Sequence, residues 1–213
     1  MHLAILVTNT DESGFADRHP KDGEKFSNLI HAVRPDWEIS VFQVKDDHQW
    51  IDRLKLLVIE AHQAGQPIFG ACFGHQMIAQ ALGAEIGDNP TGWVLGTVQT
   101  SSVSKPEWEA DLPDKINFYA AHHEQVLNLP DGAELIHQAP TCNIAGFRIG
   151  NQIYTTQYHP EMEHQFITAL TEELSGELPG DVIAASTQSL ASRSHYMEFA
   201  ESIARFFELK RSV

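Results

Sequence analysis

The chain has 213 residues, 42% of them hydrophobic, enough for one or two domains with a buried core. Its 14 Lys and Arg against 29 Asp and Glu give a net charge of −15, which repels phosphate backbones and anionic lipid and argues against nucleic acid or a membrane as the main partner. Two cysteines, Cys72 and Cys142, make no disulfide framework and suit a reducing cytoplasm.

The opening run Leu3 to Val7 is too short and too poor in flanking basic residues for an export signal, and predicts a buried strand. A helix is expected around Gly23 to Val33, a second strand over Glu38 to Val44, and a helix from about Gln49 to Ala64. The last presents Trp50/Ile51, Leu54, Leu57/Val58 and Ala61 on one face, with Gly65 placed to end it. "PIFGA" then reads as a short buried strand and "GHQMIAQAL" as a helix. The β-α-β-α-β-α order predicts a mostly parallel sheet covered on both faces.

From Gly92 to His159 the pattern changes to short alternating runs, "GWVLGTVQT", "INFYAAH", "AELIHQA", "IAGFRIG" and "QIYTTQYH", expected to extend the same sheet antiparallel at one edge. Helices follow over "HPEMEHQFITALTEEL" and "RSHYMEFAESIARFFELK", the second with Tyr196, Phe199/Ala200, Ile203 and Phe206/Phe207 on one face. No composition break separates a second domain, so residues 1–213 are expected to form one domain with C-terminal helices from about 160.

The stretch Gly70-Ala71-Cys72-Phe73-Gly74 lies where a strand becomes a helix. A nucleophile with glycines two before and two after forms a tight elbow that pushes its side chain out of the sheet. The helix would aim its N-terminal N–H groups at the sulfur, favouring the reactive thiolate, and the Phe73 and Gly74 region would face a developing oxyanion. Buried free cysteine is also common in cores, so the motif alone leaves both readings open. The second feature is "QYHPEM": His159 closes a predicted strand on the sheet edge that carries Cys72, and Glu161 follows a proline expected to start a helix. That carboxylate can hold the imidazole in the tautomer that serves the thiol.

"GACFGHQ" with "QYHPE" resembles the class I glutamine amidotransferase family, and "AHHEQVLNLPDGAELIHQAP" between them is similar to the family's H-x-D-x-V segment, with His122, Glu124 and Val126 in the matching positions. The resemblance runs from Met1 to about Glu161. It implies a flavodoxin-like three-layer α/β/α fold, a Cys72-His159-Glu161 triad, and Gln76 near the substrate's amide or amino-acid end. His122 is implied as a supporting group. The activity implied is thioester-forming hydrolysis of glutamine's γ-amide, with ammonia passed to a separate synthetase or transferase partner. The alternatives are a stand-alone γ-glutamyl peptidase or hydrolase, and a non-catalytic binding module.

No cofactor or metal is expected. His122 and His123 point to opposite faces of a strand, His159 and His164 lack metal-site spacing, Cys142 has no partner, and no nucleotide-binding glycine motif occurs. One departure from the family pattern matters. A strand ending in a Gly-containing loop is expected between "VFQVK" and "DDHQWI", and the sequence runs through Lys45, Asp46 and Asp47 without it. Either the chain is shortened there or the first strand pairs directly with the nucleophile strand. In both cases one oxyanion donor is expected to be lost.

Overall fold

β1 (His2–Val7) and β2 (Glu38–Gln43) pair in parallel, with His2 opposite Glu38 and Val7 opposite Gln43, and α1 (Asp22–Val33) crosses between them. The computed structural model describes residues 1–9, 13–44 and 49–209. α1 approaches the ladder so closely that a Cβ at Gly23 would come within 2.5 Å of a Val41 methyl, so a larger residue would push the helix away. α2 (Trp50–Gln63) ends where expected: Gly65 takes φ +70° and its N–H donates to the His62 carbonyl.

β3 (Ile68–Ala71) leads into α3 (Phe73–Ala81). β4 (Ile86–Asp88), β5 (Val94–Ser102), β6 (Lys115–His122), β7 (Glu124–Val126), β8 (Glu134–Ala139), β9 (Cys142–Ile149) and β10 (Ile153–Thr156) follow. α4 (His164–Glu173), α5 (Gly180–Ser189) and α6 (Tyr196–Glu208) complete the helices. Six strands form one sheet in the order β3-β10-β9-β8-β5-β6. Within it β10 runs parallel to β3 and the remaining ladders are antiparallel, while β4 and β7 make a small antiparallel ladder of their own.

The fold is the expected α/β arrangement, with the antiparallel extension forming the larger part of the six-stranded sheet. α1 and α6 share one core with Trp108, Phe118, Tyr154 and Tyr158. A second core joins Val58 of α2 and Ile78 of α3 to Phe147 and Ile153. Tyr154, fully buried, donates from its hydroxyl to Glu109 Oε1 at 2.7 Å, and His137 Nε2 lies 3.1 Å from Glu109 Oε2, so this buried carboxylate has polar neighbours on both oxygens. A third core holds Leu95, Tyr119, Met162, Ile167 and Leu190 beneath α4 and α5.

Several expectations are corrected. Direct pairing of the first strand with the nucleophile strand is not adopted: among the described residues β1–β2 and the six-stranded sheet share no ladder. The junction at Lys45, Asp46 and Asp47 lies outside the described residues. The apolar face of α2 is buried only in part. Leu54 and Val58 are inside, whereas Ile51 and Leu57 are exposed, because α2 packs mainly on α3 and β3. Leu6, Val41 and Phe42 of the β1–β2 ladder are exposed too. α4 starts at His164 and not at Pro160.

α5 was not evident in the sequence because Ser186, Thr187 and Ser189 favour caps and turns over helix interiors. Tertiary contacts decide it. Ser186 is fully buried with its Oγ 2.8 Å from Thr171 Oγ1, and Ser189 Oγ accepts the Thr97 N–H at 2.8 Å.

α5 reaches β5 only because residue 96 is glycine. Gly96 has φ +96°, and a Cβ there would collide with Ser189 Oγ and come within 2.8 Å of Ser186 Oγ. Gly96→Ala is expected to destabilise the protein by roughly 1–3 kcal/mol through strain and overpacking together. Urea unfolding followed by circular dichroism measures this, with the midpoint lowered and the slope unchanged.

Candidate active site

The turn that carries Cys72 is built by close backbone approach. A Cβ at Gly70 would lie 2.7 Å from the Gly74 carbonyl and 2.5 Å from Ile78 Cδ1, so the strand and helix can fold together only over a glycine. The expected need for glycine at Gly74 is corrected: a Cβ there meets nothing within 4 Å. Cys72 itself sits at φ +48°, ψ −107°, the one non-glycine residue at positive φ among the described residues. Such a conformation costs on the order of 1–3 kcal/mol and persists because its surroundings fix it. Here the Cys72 N–H donates to the Thr156 carbonyl at 2.9 Å, tying the turn to β10. The first-turn N–H groups of Phe73 and Gly74, directly after Cys72 in the chain, have no carbonyl one turn back to bond.

Beyond β10 the chain passes through Gln157 and Tyr158 to His159, which is not in a strand proper but makes an isolated bridge to Tyr119, donating its N–H to the Tyr119 carbonyl at 2.9 Å. Glu161 lies in the turn before α4. Its Oε1 is 2.7 Å from His159 Nδ1, and only 3% of its side chain is exposed. That return contact keeps residues 160–163 out of the helix. Burial pulls the His159 pKa down, but the charges of Cys72 and Glu161, with hydrogen bonds to both, outweigh it and hold the imidazole well above its ordinary value. Cys72, His159 and Glu161 therefore stand together.

His122 closes β6, where it pairs with Val94, and is buried while His123 is exposed, as strand alternation requires. Its Nδ1 is 3.0 Å from the Glu124 carbonyl, which can only accept, so Nδ1 carries the proton and Nε2 keeps a lone pair without a protein partner. Burial lowers its pKa to about 4, opposed by the bond to Glu124, and the nearby charge of His159 adds to the fall. His75, fully buried with Nδ1 2.8 Å from Thr155 Oγ1, is lowered to about 3, first by desolvation. Both rings are neutral. Gln76, also buried, donates from Nε2 to the Glu124 carbonyl at 2.8 Å and to Gln157 Oε1 at 3.3 Å.

The model for the family described as glutamine amidotransferase class-I matches residues 46–169. The chain belongs to this family. A glutamine amidotransferase-like protein of Schizosaccharomyces pombe is 31% identical over 178 residues, 80% of this chain and 68% of that protein. A glutamine-hydrolyzing GMP synthase subunit of Thermoplasma acidophilum is 35% identical over 101 residues, 46% of this chain and 49% of its own length. Gamma-glutamyl peptidase 3 of Arabidopsis thaliana is 25% identical over 135 residues, covering 60% and 54%. The chain thus spans about half the length of the last two relatives. A crystal structure of a glutamine amidotransferase from Thermotoga maritima superposes with a TM-score of 0.73 at 16% identity, covering 98% of each chain, and shows the common fold.

Within this class I amidotransferase domain, two features went unread in the sequence. Gln157, fully buried, places its Nε2 3.9 Å from Cys72 Sγ, and the Trp50 ring meets the ring of Phe73, the residue after Cys72, at 5.6 Å between centroids. Gln157 stands two residues before His159 in the same short motif, which is the signal that the sequence carries for it. A cavity of about 290 Å³ borders Glu161 between α1, α4 and the start of α6, but Cys72 does not line it. Cys142 is buried in β9, and burial pushes its thiol up to about 12, consistent with an inert core residue. Among the described residues no three His, Cys, Asp or Glu side chains stand together as a metal set.

The raised pKa of His159 rests most on the Cys72 charge, so removing that charge has a definite sign. In Cys72→Ala, burial acts against Glu161 alone and the imidazole pKa is expected to fall. In the wild type the stability that this raised pKa contributes is full below the ordinary histidine value and is lost as pH rises from there through the elevated one. Titration of the His159 ring carbons by NMR in both proteins checks the shift.

Proposed function

We propose that the protein hydrolyses a γ-glutamyl amide with Cys72 as nucleophile. The observation that carries the proposal is the strained Cys72 turn facing His159, whose Nδ1 is held by Glu161 at 2.7 Å. The thiolate attacks the amide carbonyl carbon, and the C–O electrons move onto oxygen. His159 gives its Nε2 proton to the departing nitrogen as the C–N bond breaks, leaving a thioester. A water molecule then loses a proton to His159 and attacks the thioester. Collapse of the second tetrahedral intermediate breaks the C–S bond, releasing glutamate and restoring the thiolate-imidazolium pair. Glu161 fixes the ring tautomer throughout.

The Phe73 and Gly74 N–H groups serve the developing oxyanion from the helix side. Glutamine is the proposed substrate, with ammonia delivered to a separate synthetase or transferase partner. The similarity to a GMP synthase subunit supports this assignment. Similarity to a γ-glutamyl peptidase supports a second reading, in which the leaving group is the amine of an amino acid and no partner is needed. Among the described residues no helix is long and apolar enough to cross a membrane. A nucleophilic thiol suits a reducing compartment, and the cytoplasm is proposed as its location.

Glutamate release from glutamine and from γ-glutamyl dipeptides is expected in the wild type and absent in Cys72→Ala. Without the donor loop expected between Lys45 and Asp47, kcat for the chain of this sequence should fall about 10²- to 10³-fold below that of a family member with a complete oxyanion hole. Equal background release in both proteins would identify a binding module. Faster release from dipeptides than from glutamine, with no partner added, would identify the peptidase.

A further inference from the structure

A chain of buried amides runs from a backbone carbonyl to the nucleophilic sulfur, and its direction is fixed at one end. The Glu124 carbonyl, at the start of β7, can only accept hydrogen bonds. Gln76 therefore presents its NH₂ group to it at 2.8 Å, because the opposite orientation would set two oxygens against each other. The same NH₂ group lies 3.3 Å from Gln157, which must answer with its oxygen. With Oε1 committed, the Gln157 NH₂ group faces Cys72 Sγ at 3.9 Å. The second lone pair of the Glu124 carbonyl takes His122 Nδ1–H at 3.0 Å, so the anchor is saturated.

We infer that Gln157 is a further catalytic residue, donating an N–H hydrogen bond to the Cys72 sulfur, and that Gln76 is a positioning residue that keeps Gln157 from turning its oxygen to the thiolate. The inference rests on Cys72 being the nucleophile. Gln157 is fully buried, so water does not compete for its amide, and a misoriented carboxamide would place an acceptor against the anion. Of the neighbouring histidines, burial keeps His75 and His122 neutral, whereas His159 hydrogen-bonds Cys72 and is held above its ordinary pKa by the Cys72 and Glu161 charges. The sulfur thus has two hydrogen-bond partners, the His159 ring and the neutral Gln157 amide. The donor favours the anion without supplying a proton to it, so it assists attack and remains unchanged through the cycle. Gln76, assigned by family resemblance to the substrate's end, has both hydrogens engaged inside the protein and only its oxygen left for a ligand.

The test is the pH profile of Cys72 alkylation by iodoacetamide in the full-length chain, followed by mass spectrometry of the Cys72 peptide so that Cys142 does not contribute. In Gln157→Met the half-maximal pH is expected to rise and the rate at pH 7 to fall about three- to tenfold. Gln157→Glu, nearly identical in shape, replaces the donor by an acceptor and should produce the larger shift in the same direction. Gln76→Met should produce the smallest, since the Gln157 amide remains but is free to rotate. Near-UV circular dichroism identifies which variants retain the native fold. Superimposable profiles for wild type and any folded Gln157 variant, or a fall of the half-maximal pH in Gln157→Glu, would overturn the inference. The measurement reads the sulfur directly. Glutamate release that is equal in wild type and Cys72→Ala would reject the hydrolase, whereas the alkylation order alone decides the role of Gln157.

Discussion

The parallel pairing of β10 with β3 is the constraint on which the site depends. Thr156 lies opposite Ala71, and the next hydrogen bond in that direction joins Thr156 O to Cys72 N. This one register brings together segments 85 residues apart, setting Gln157 beside the sulfur. A slip by one residue would exchange the faces of the β10 side chains and remove the Thr156 carbonyl from the Cys72 N–H that it holds. The strain at Cys72 is tolerated because Gly70 admits the close approach of Gly74 and because β10 fixes the turn from its other side.

Around that register the protein distributes charge unevenly. Burial keeps His75 and His122 neutral, where each orients a neighbour through Nδ1, while the charges of Cys72 and Glu161 hold the His159 pKa above its ordinary value. The same desolvation acts on all three rings, and what separates them is the presence of anions within reach. The H-x-E-x-V stretch contributes mainly through its backbone. The Glu124 carbonyl orders one histidine ring and one amide chain, whereas the Glu124 side chain is exposed.

The β1–β2 unit relates differently to the rest. It shares with α1 and α6 the core that also receives Phe69 of β3, yet no ladder joins it to the six-stranded sheet among the described residues. Exposed Leu6, Val41 and Phe42 on the ladder and Leu57 on α2 are the apolar surface left by that arrangement. Burial of a side chain of this size contributes about 1.5–3 kcal/mol, so the first half is held with less packing than the second, whose aromatic core is closed. Cys72, His159, Glu161 and the Gln76–Gln157 amide chain all lie from β3 onward, in the better packed part.

The sequence by itself determined the order of elements, because apolar spacing and glycines act over a few residues: Gly65 ends α2, the alternating runs become β5, β6, β8, β9 and β10, and the heptad-like stripe of α6 lies in the core. It also marked Cys72, His159 and Glu161 as candidates, through two short motifs read together and their resemblance to the family. Tertiary structure alone decided the rest. α5 exists because Ser186 and Ser189 find partners on other elements, and α4 begins late because Glu161 turns back to His159. The roles of Gln76 and Gln157 depend on hydrogen bonds to Glu124 and Cys72 across 48 and 85 residues. Amide orientation is set by what faces it after folding, and no local pattern of residues encodes that direction.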